Sequence, residues 1–422
     1  MKHLILIVGL LTAFAAAQEP VTLSMWTHDP LYISFFQKRV EKWNAEHDDY
    51  KITLETQQMP DPDTAFLTAL TAGEPVPDLI GVEITHFPQY MQDNLAADLF
   101  VDLTDRVGDR YSDFVEGRWT PYMSEGRIYG VESALSASAY YYQPELFESR
   151  GLTPPSTWDE FLETGQALAE DGIALSVMSD DAQGPFGMMF LQRGGQVFDE
   201  NGEFVFGNEE NRQIALEVLD TIRQGIDSGA FLVVLGNDFW GGTIPTAFSK
   251  GRLAGIVAPD WYSSCCLKPG VESMSGAWRI AAMPTWSEGG HSTSTWGGTA
   301  FMITQRSEHA DVAWSLLEDA YMTLDGQLDR YASIQFYPTM LEALEDPAVT
   351  GTPDPFYGDQ KTGAVFAKVA LDAPLLYQSP NRAAYLTAVG DNLPLFFDND
   401  MDAETFVDTV VQITEDEIFF NE

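Results

Sequence analysis

The residues best suited to chemistry in this chain are its ten tryptophans and its large surplus of carboxylates. The chemistry they fit is recognition of carbohydrate. A pyranose ring presents a patch of C–H groups that an aromatic face covers, while carboxylates and amides bind its equatorial hydroxyls. Trp43, Trp158 and Trp314 fall at helical spacing and read as packing residues. Trp26, Trp240, Trp261 and Trp296 instead stand beside polar residues or glycines, in Trp26-Thr27-His28-Asp29, Trp240-Gly241-Gly242-Thr243, Asp260-Trp261 and Trp296-Gly297-Gly298. The two Trp-Gly-Gly runs echo each other, but matches this short are not an internal repeat.

Motifs for reaction chemistry are missing. The chain has no G-x-S-x-G elbow and no phosphate loop. Its many acidic residues permit a paired-carboxylate glycosidase, yet no local motif singles out a pair. His28, His47, His86, His291 and His309 are scattered, without metal-ligand spacing. No cofactor is called for. The only cysteines, Cys265 and Cys266, are adjacent. In an oxidising compartment they can form a vicinal disulfide, an apolar plate near the cleft; the alternative is two free thiols.

Periodicity supplies the elements that must position these groups. Val21 to Trp26 reads as a strand, Leu31 to Glu46 as a helix, and Lys51 to Gln57 as an alternating strand. A helix over Ala65 to Ala72, a strand over Pro77 to Val82 and a helix from Phe87 continue the alternation. This order implies a mainly parallel sheet covered by helices on both faces. Ligands of such sheets bind beyond the carboxyl ends of the strands, which places Trp26-Thr27-His28-Asp29 and Glu83 at a cleft. A second α/β unit follows, with helices at Trp158 to Glu170 and Asn211 to Ser228 and strands at Gly255 to Ala258, Trp278 to Met283 and Trp296 to Ile303.

Between the units lies an ordered cassette, Glu125 to Phe161. A short strand (Ile128 to Val131) leads to Tyr140-Tyr141-Tyr142; Pro144 opens a helix, Gly151 follows it, and Ser156 or Thr157 caps the next. The cassette resembles the crossover of family 1 extracellular solute-binding proteins, the maltose- and oligosaccharide-binding type that serves carbohydrate ABC importers. That resemblance implies a type II periplasmic-binding-protein fold with two α/β lobes and a ligand cleft between them. The lobes would comprise residues 18–135 with 285–325 and residues 136–284 with 326–422, hinged near Val131 to Tyr142 and Pro284 to Thr295. By position it implies ligand contacts from Trp26, His28, Asp29, Glu83, Tyr140, Trp240, Asp260, Trp261, Trp296, Gly297 and Gly298. The tyrosine run is also similar to ferric-ion sites on this fold, but consecutive strand residues face opposite ways, so at most two can share a site.

The N-terminus agrees with export. Met1-Lys2-His3, an apolar run from Leu4 to Phe14 and Ala15-Ala16-Ala17 form a signal peptide over 1–17, with cleavage before Gln18. No cysteine at that point offers a lipid anchor, so the expected location is periplasmic or otherwise extracytoplasmic. The net charge of −42 argues against nucleic acid or an anionic membrane as a partner. The resemblance implies a sugar ligand, permease subunits with a cytoplasmic ATPase, and a monomer. The rivals are a secreted carbohydrate-active enzyme and a polyamine or metal binder on the same fold.

Overall fold

The computed structural model describes residues 20–421; the expected signal peptide lies outside the described residues. In the first lobe the strands are β1 (Val21–Thr27), β2 (Ile52–Gln58), β3 (Leu79–Glu83) and β4 (Val131–Glu132). The second lobe holds β5 (Ser138–Tyr142), β6 (Ser176–Met178), β7 (Phe231–Val233), β8 (Gly255–Pro259) and β9 (Arg279–Ala282). The chain then returns to the first lobe as β10 (Thr299–Ile303).

The first-lobe sheet has the order β2-β1-β3-β10-β4. Strands β1, β2 and β3 are parallel, and β10 runs against both β3 and β4. In the second lobe β5 runs against both β8 and β9, while β6 and β7 pair in parallel. A parallel bridge from Ala174 to Leu253, and a bond from the Val257 amide to Ser176 Oγ, set β6 beside β8. The lobes therefore share one plan, three parallel strands followed by a single reversed strand and an edge strand.

The reversed strand has a physical origin. Parallel strands of each lobe point their carboxyl ends at the cleft, so a chain arriving from the other lobe enters there and must run the opposite way. Those arriving segments are β5 and β10. They are linked side by side at their starts, where the Ser138 amide donates to Ser294 O at 2.8 Å and the Ser133 amide to Thr299 O at 2.9 Å. Ser136, at φ 54°, marks the bend between them.

Helices cover these sheets where local chemistry starts them. Asp29 caps α1 (Pro30–Glu46) by accepting from the Leu31 amide, with Pro30 at the first position. Thr157 caps the helix Trp158–Ala169, and Glu160 returns a bond to Ser156. The two faces of the first sheet show strand alternation directly. Leu79, Phe301 and Ile303 enter one core, whereas Ile80, Val82, Ala300 and Met302 enter the other.

One expected boundary shifts. Helix Leu324–Ile334 remains with the first lobe, because buried Arg39 of α1 pairs with Asp319, Asp325 and Asp329. The first lobe therefore extends past residue 326, and Phe336, Met340 and Ala343 also join its core.

Candidate functional site

The strand ends of both lobes face each other across the crossover segments. On the second lobe, the loops after β7 and β8 and the segment before β10 bring Trp240, Trp261 and Trp296 together. The Trp240 and Trp261 rings lie 6.2 Å apart and 22° from parallel; Trp296 stands 6.0 and 5.8 Å from them. Trp261 Nε1 donates to Trp296 O at 2.8 Å, which fixes its ring. Trp240 is 51% exposed, Trp261 is half-buried and Trp296 is buried. Trp240 and Trp261 thus offer apolar faces while Trp296 supports them.

The glycines have a different use from the one their sequence position implies. A Cβ on Gly297 (φ 68°) would stand 3.3 Å from the Trp261 ring. At Gly298 (φ 134°) it would come within 2.5 Å of Arg118 Nη2. Arg118 is buried and paired with Glu132 at 2.9 Å. Gly298 therefore lets the returning chain pass over a buried ion pair, and Gly297 lets it pass beneath a tryptophan.

The first-lobe wall is polar. His28 Nε2 and Glu83 Oε1 lie 3.4 Å apart and both are accessible. Trp26 packs against a core cluster, and Asp29 is engaged as the cap of α1. Nearby, His86 bonds to Asp63 at 2.9 Å, Tyr90 to the same carboxylate at 2.8 Å, and Asp61 caps its own helix. The Asp63 carboxylate holds His86 above the usual imidazole range. These oxygens already have partners.

Two expected contacts are corrected. Tyr140 is fully buried, donates to Leu175 O at 3.0 Å and stacks on Tyr142, so it belongs to the second-lobe core. The reason is the central place of β5 in its sheet, which buries both faces. Asp260 is also fully buried, with Oδ1 accepting from the Trp261 amide at 2.8 Å and Oδ2 unpartnered. Burial pushes its pKa up to about 7, although the Arg118 charge opposes the shift. It orients the tryptophan turn from within. Cys265 and Cys266 are joined to each other in that same turn, and Cys266 packs on the second-lobe core.

Several cleft residues escaped the sequence reading. Asp181 and Gln183 follow β6, and the rule that ligands gather at strand ends points to them as it did to Glu83. Burial raises the Asp181 carboxyl above the usual range, and repulsion from Asp180 and from Glu83 across the cleft adds to this. Arg382 and Tyr385 come from the start of a late helix, with no local signal in sequence. With Ile84 of the first lobe and Thr295 and Gly297 of the crossover, they line a cavity of about 40 Å³. A wider hollow of about 620 Å³ lies between the lobes beside Met91, Glu125, Tyr377, Gln378 and Asn381. Gln378 Nε2 reaches Ile84 O across the lobes at 2.7 Å.

Comparison with known proteins places this geometry. Residues 30–327 match the model of the bacterial extracellular solute-binding protein family. The chain is 27% identical over 390 residues to an arabinooligosaccharide-binding protein of Halalkalibacterium halodurans, covering 90% of this chain and 84% of that one. Among solved structures, a family 1 extracellular solute-binding protein superposes with a TM-score of 0.77 at 18% identity, covering 94% of this chain and 99% of that one. An ABC-transporter-associated binding protein of B. animalis subsp. lactis, solved with β-1,6-galactobiose, gives 0.71 at 20% identity, covering 94% and 97%. The fold is that of the type II periplasmic binding proteins.

Proposed function

Because the chain belongs to the family of bacterial extracellular solute-binding proteins, we infer that it captures an oligosaccharide outside the cytoplasm and delivers it to the permease of an ABC importer. The observation that carries this reading is the cleft itself. One wall bears the tryptophan faces of Trp240 and Trp261, the other bears His28 and Glu83, and the paired crossovers lie between. That division suits a sugar, with C–H patches on one side and hydroxyls on the other.

The mechanism has no chemical step. Ligand touching both walls favours the closed form by the difference in its affinity for closed and open states. Ser133 to Ala137 and Ser294 to Gly298 would absorb the rotation, because they link the two sheets and run side by side, with Ala137 bridged to Thr295. Release then requires a partner that favours the open form, which is the role assigned to the permease. No described helix is long and apolar enough to cross a membrane. The protein is proposed to act as a monomer.

Calorimetry with arabino-, galacto- and malto-oligosaccharides, followed by chromatography of the incubated sugar, tests the reading. Saturable binding with the sugar recovered intact is the expected result. Repeated turnover would establish an enzyme instead. Solution scattering should show a smaller radius of gyration with bound sugar; saturation without compaction would overturn hinge closure.

A further inference from the structure

Among the described residues four arginines are buried, and two of them, Arg330 and Arg382, have no carboxylate within ion-pair distance. Arg39 meets three aspartates and Arg118 meets Glu132. Arg330 leaves Nε and Nη1 unpartnered, but its Nη2 donates to Gln327 and to Tyr337 O at 2.9 Å each; burial lowers its pKa while the charges of Asp260 and Glu132 oppose that shift. Arg382 is only 5% exposed, and neither Nε nor Nη1 has a partner. Its Nη2 reaches only the Gln183 side-chain oxygen, at 3.4 Å. Among the described residues no carboxylate pairs with it, in a chain with 64 acidic residues. An uncompensated buried charge is costly, and burial here draws the guanidinium pKa down to about 10, which still leaves it charged at neutral pH.

The backbone around Arg382 has the same polarity. Arg382 is the first residue of the helix Arg382–Phe397, whose cap Asn381 makes no side-chain bond and whose first turn carries no acid. The helix facing it across the cavity, Pro185–Arg193, is already supplied: Asp181 Oδ1 accepts from the Gln183 and Gly184 amides at 2.9 and 3.2 Å. The loop before one helix thus holds a carboxylate of the protein's own, whereas the start of the other has none and carries an unpaired guanidinium. The cavity between them, about 40 Å³, is lined by Arg382, Gln183 and Tyr385. Thr295 and Gly297 line it on either side of Trp296, so it adjoins the tryptophan wall.

Resting on the sugar-binding reading above, we propose that the saccharide carries a uronic acid residue whose carboxylate is bound by Arg382, with Gln183 beside it. The acidic sugar supplies the counter-charge that the protein withholds, and a bidentate or fork-like contact of guanidinium with carboxylate gives selectivity over neutral sugars.

The test is calorimetry on the purified protein with di- and trisaccharides of galacturonate, glucuronate and mannuronate. Each is compared with its methyl ester as the uncharged twin and with neutral arabinooligosaccharides. At least one uronate should bind tenfold or more tightly than its ester. Arg382→Met should remove that preference and Arg382→Lys should retain part of it. Without ligand, Arg382→Met should unfold at the same temperature as the parent or higher, because it deletes an unpaired buried charge; this separates lost recognition from lost folding. Esters or neutral sugars binding as well as the acids would overturn the proposal while leaving the sugar-binding reading intact. Failure of every saccharide, charged or neutral, would overturn both.

Discussion

The two lobes are built on one strand plan and yet present opposite chemistry to the cleft. In the first lobe His28 follows β1 and Glu83 ends β3, two accessible polar groups 3.4 Å apart. The second ends its strands in Trp240 and Trp261 on one side and leaves Arg382 unpaired on the other. Identical scaffolds therefore leave the terminal loop residues free to differ, because strand ends lie outside the packed core. The wall with more apolar face is the one expected to hold ligand first, with the polar wall closing over it. Buried charge is handled differently at two points: Arg39 of the first lobe pairs with three aspartates, whereas Arg382 of the second has no carboxylate partner among the described residues.

The strongest way to probe that difference is through Asp260, which lies under the tryptophan turn of the second lobe and feels Arg118 of the first. Its folded pKa of about 7 exceeds the free value of 3.8, so its contribution to stability is complete below about pH 4 and is lost as pH rises through 7. In Asp260→Asn that loss disappears. Urea unfolding from pH 4 to pH 8 should show the variant gaining on the parent by up to about 4 kcal/mol, levelling above pH 7. A difference independent of pH would mean that the carboxylate is ionised and paired throughout.

The two Trp-Gly-Gly runs sharpen the comparison next. Gly298→Ala must place a Cβ against the buried Arg118 in a conformation that disfavours side chains, and should cost about 3 kcal/mol in urea unfolding. Gly242 has ordinary backbone and open space around it, so Gly242→Ala should change stability by about 0.5 kcal/mol or less. Equal effects would show that the resemblance of the two runs extends to their structure.

Affinity changes should be smaller and lobe-specific. Trp240→Ala or Trp261→Ala removes an apolar face and should weaken oligosaccharide binding by about 1–3 kcal/mol, roughly tenfold or more, without loss of fold. Glu83→Gln keeps the shape of the polar wall and weakens one hydrogen-bonding group, so about 1 kcal/mol is expected by calorimetry. Should Glu83→Gln prove the more damaging, the polar wall and not the aromatic one would dominate capture.

Much of this protein was set by local sequence. Alternation in β3 and β10 fixed which residues enter which core, Asp29-Pro30 and Thr157 started their helices, and Glu83 stands at the carboxyl end of β3 as its pattern predicts. The crossover cassette carried the two-lobe fold, and the adjacent cysteines could bond only to each other. Tertiary structure decided the rest, because burial depends on what lies across the chain. Tyr140 and Asp260 have site-like sequence neighbours, but central strands and a covering turn enclose both. Gly298 reads as an approach for ligand until Arg118, far away in sequence, is found beneath it. Arg382 starts an unremarkable helix, and only the fold shows that no acid reaches it. Local pattern selects which way a side chain points; whether a charge is paired is a property of distances between remote residues, which the folded chain alone defines.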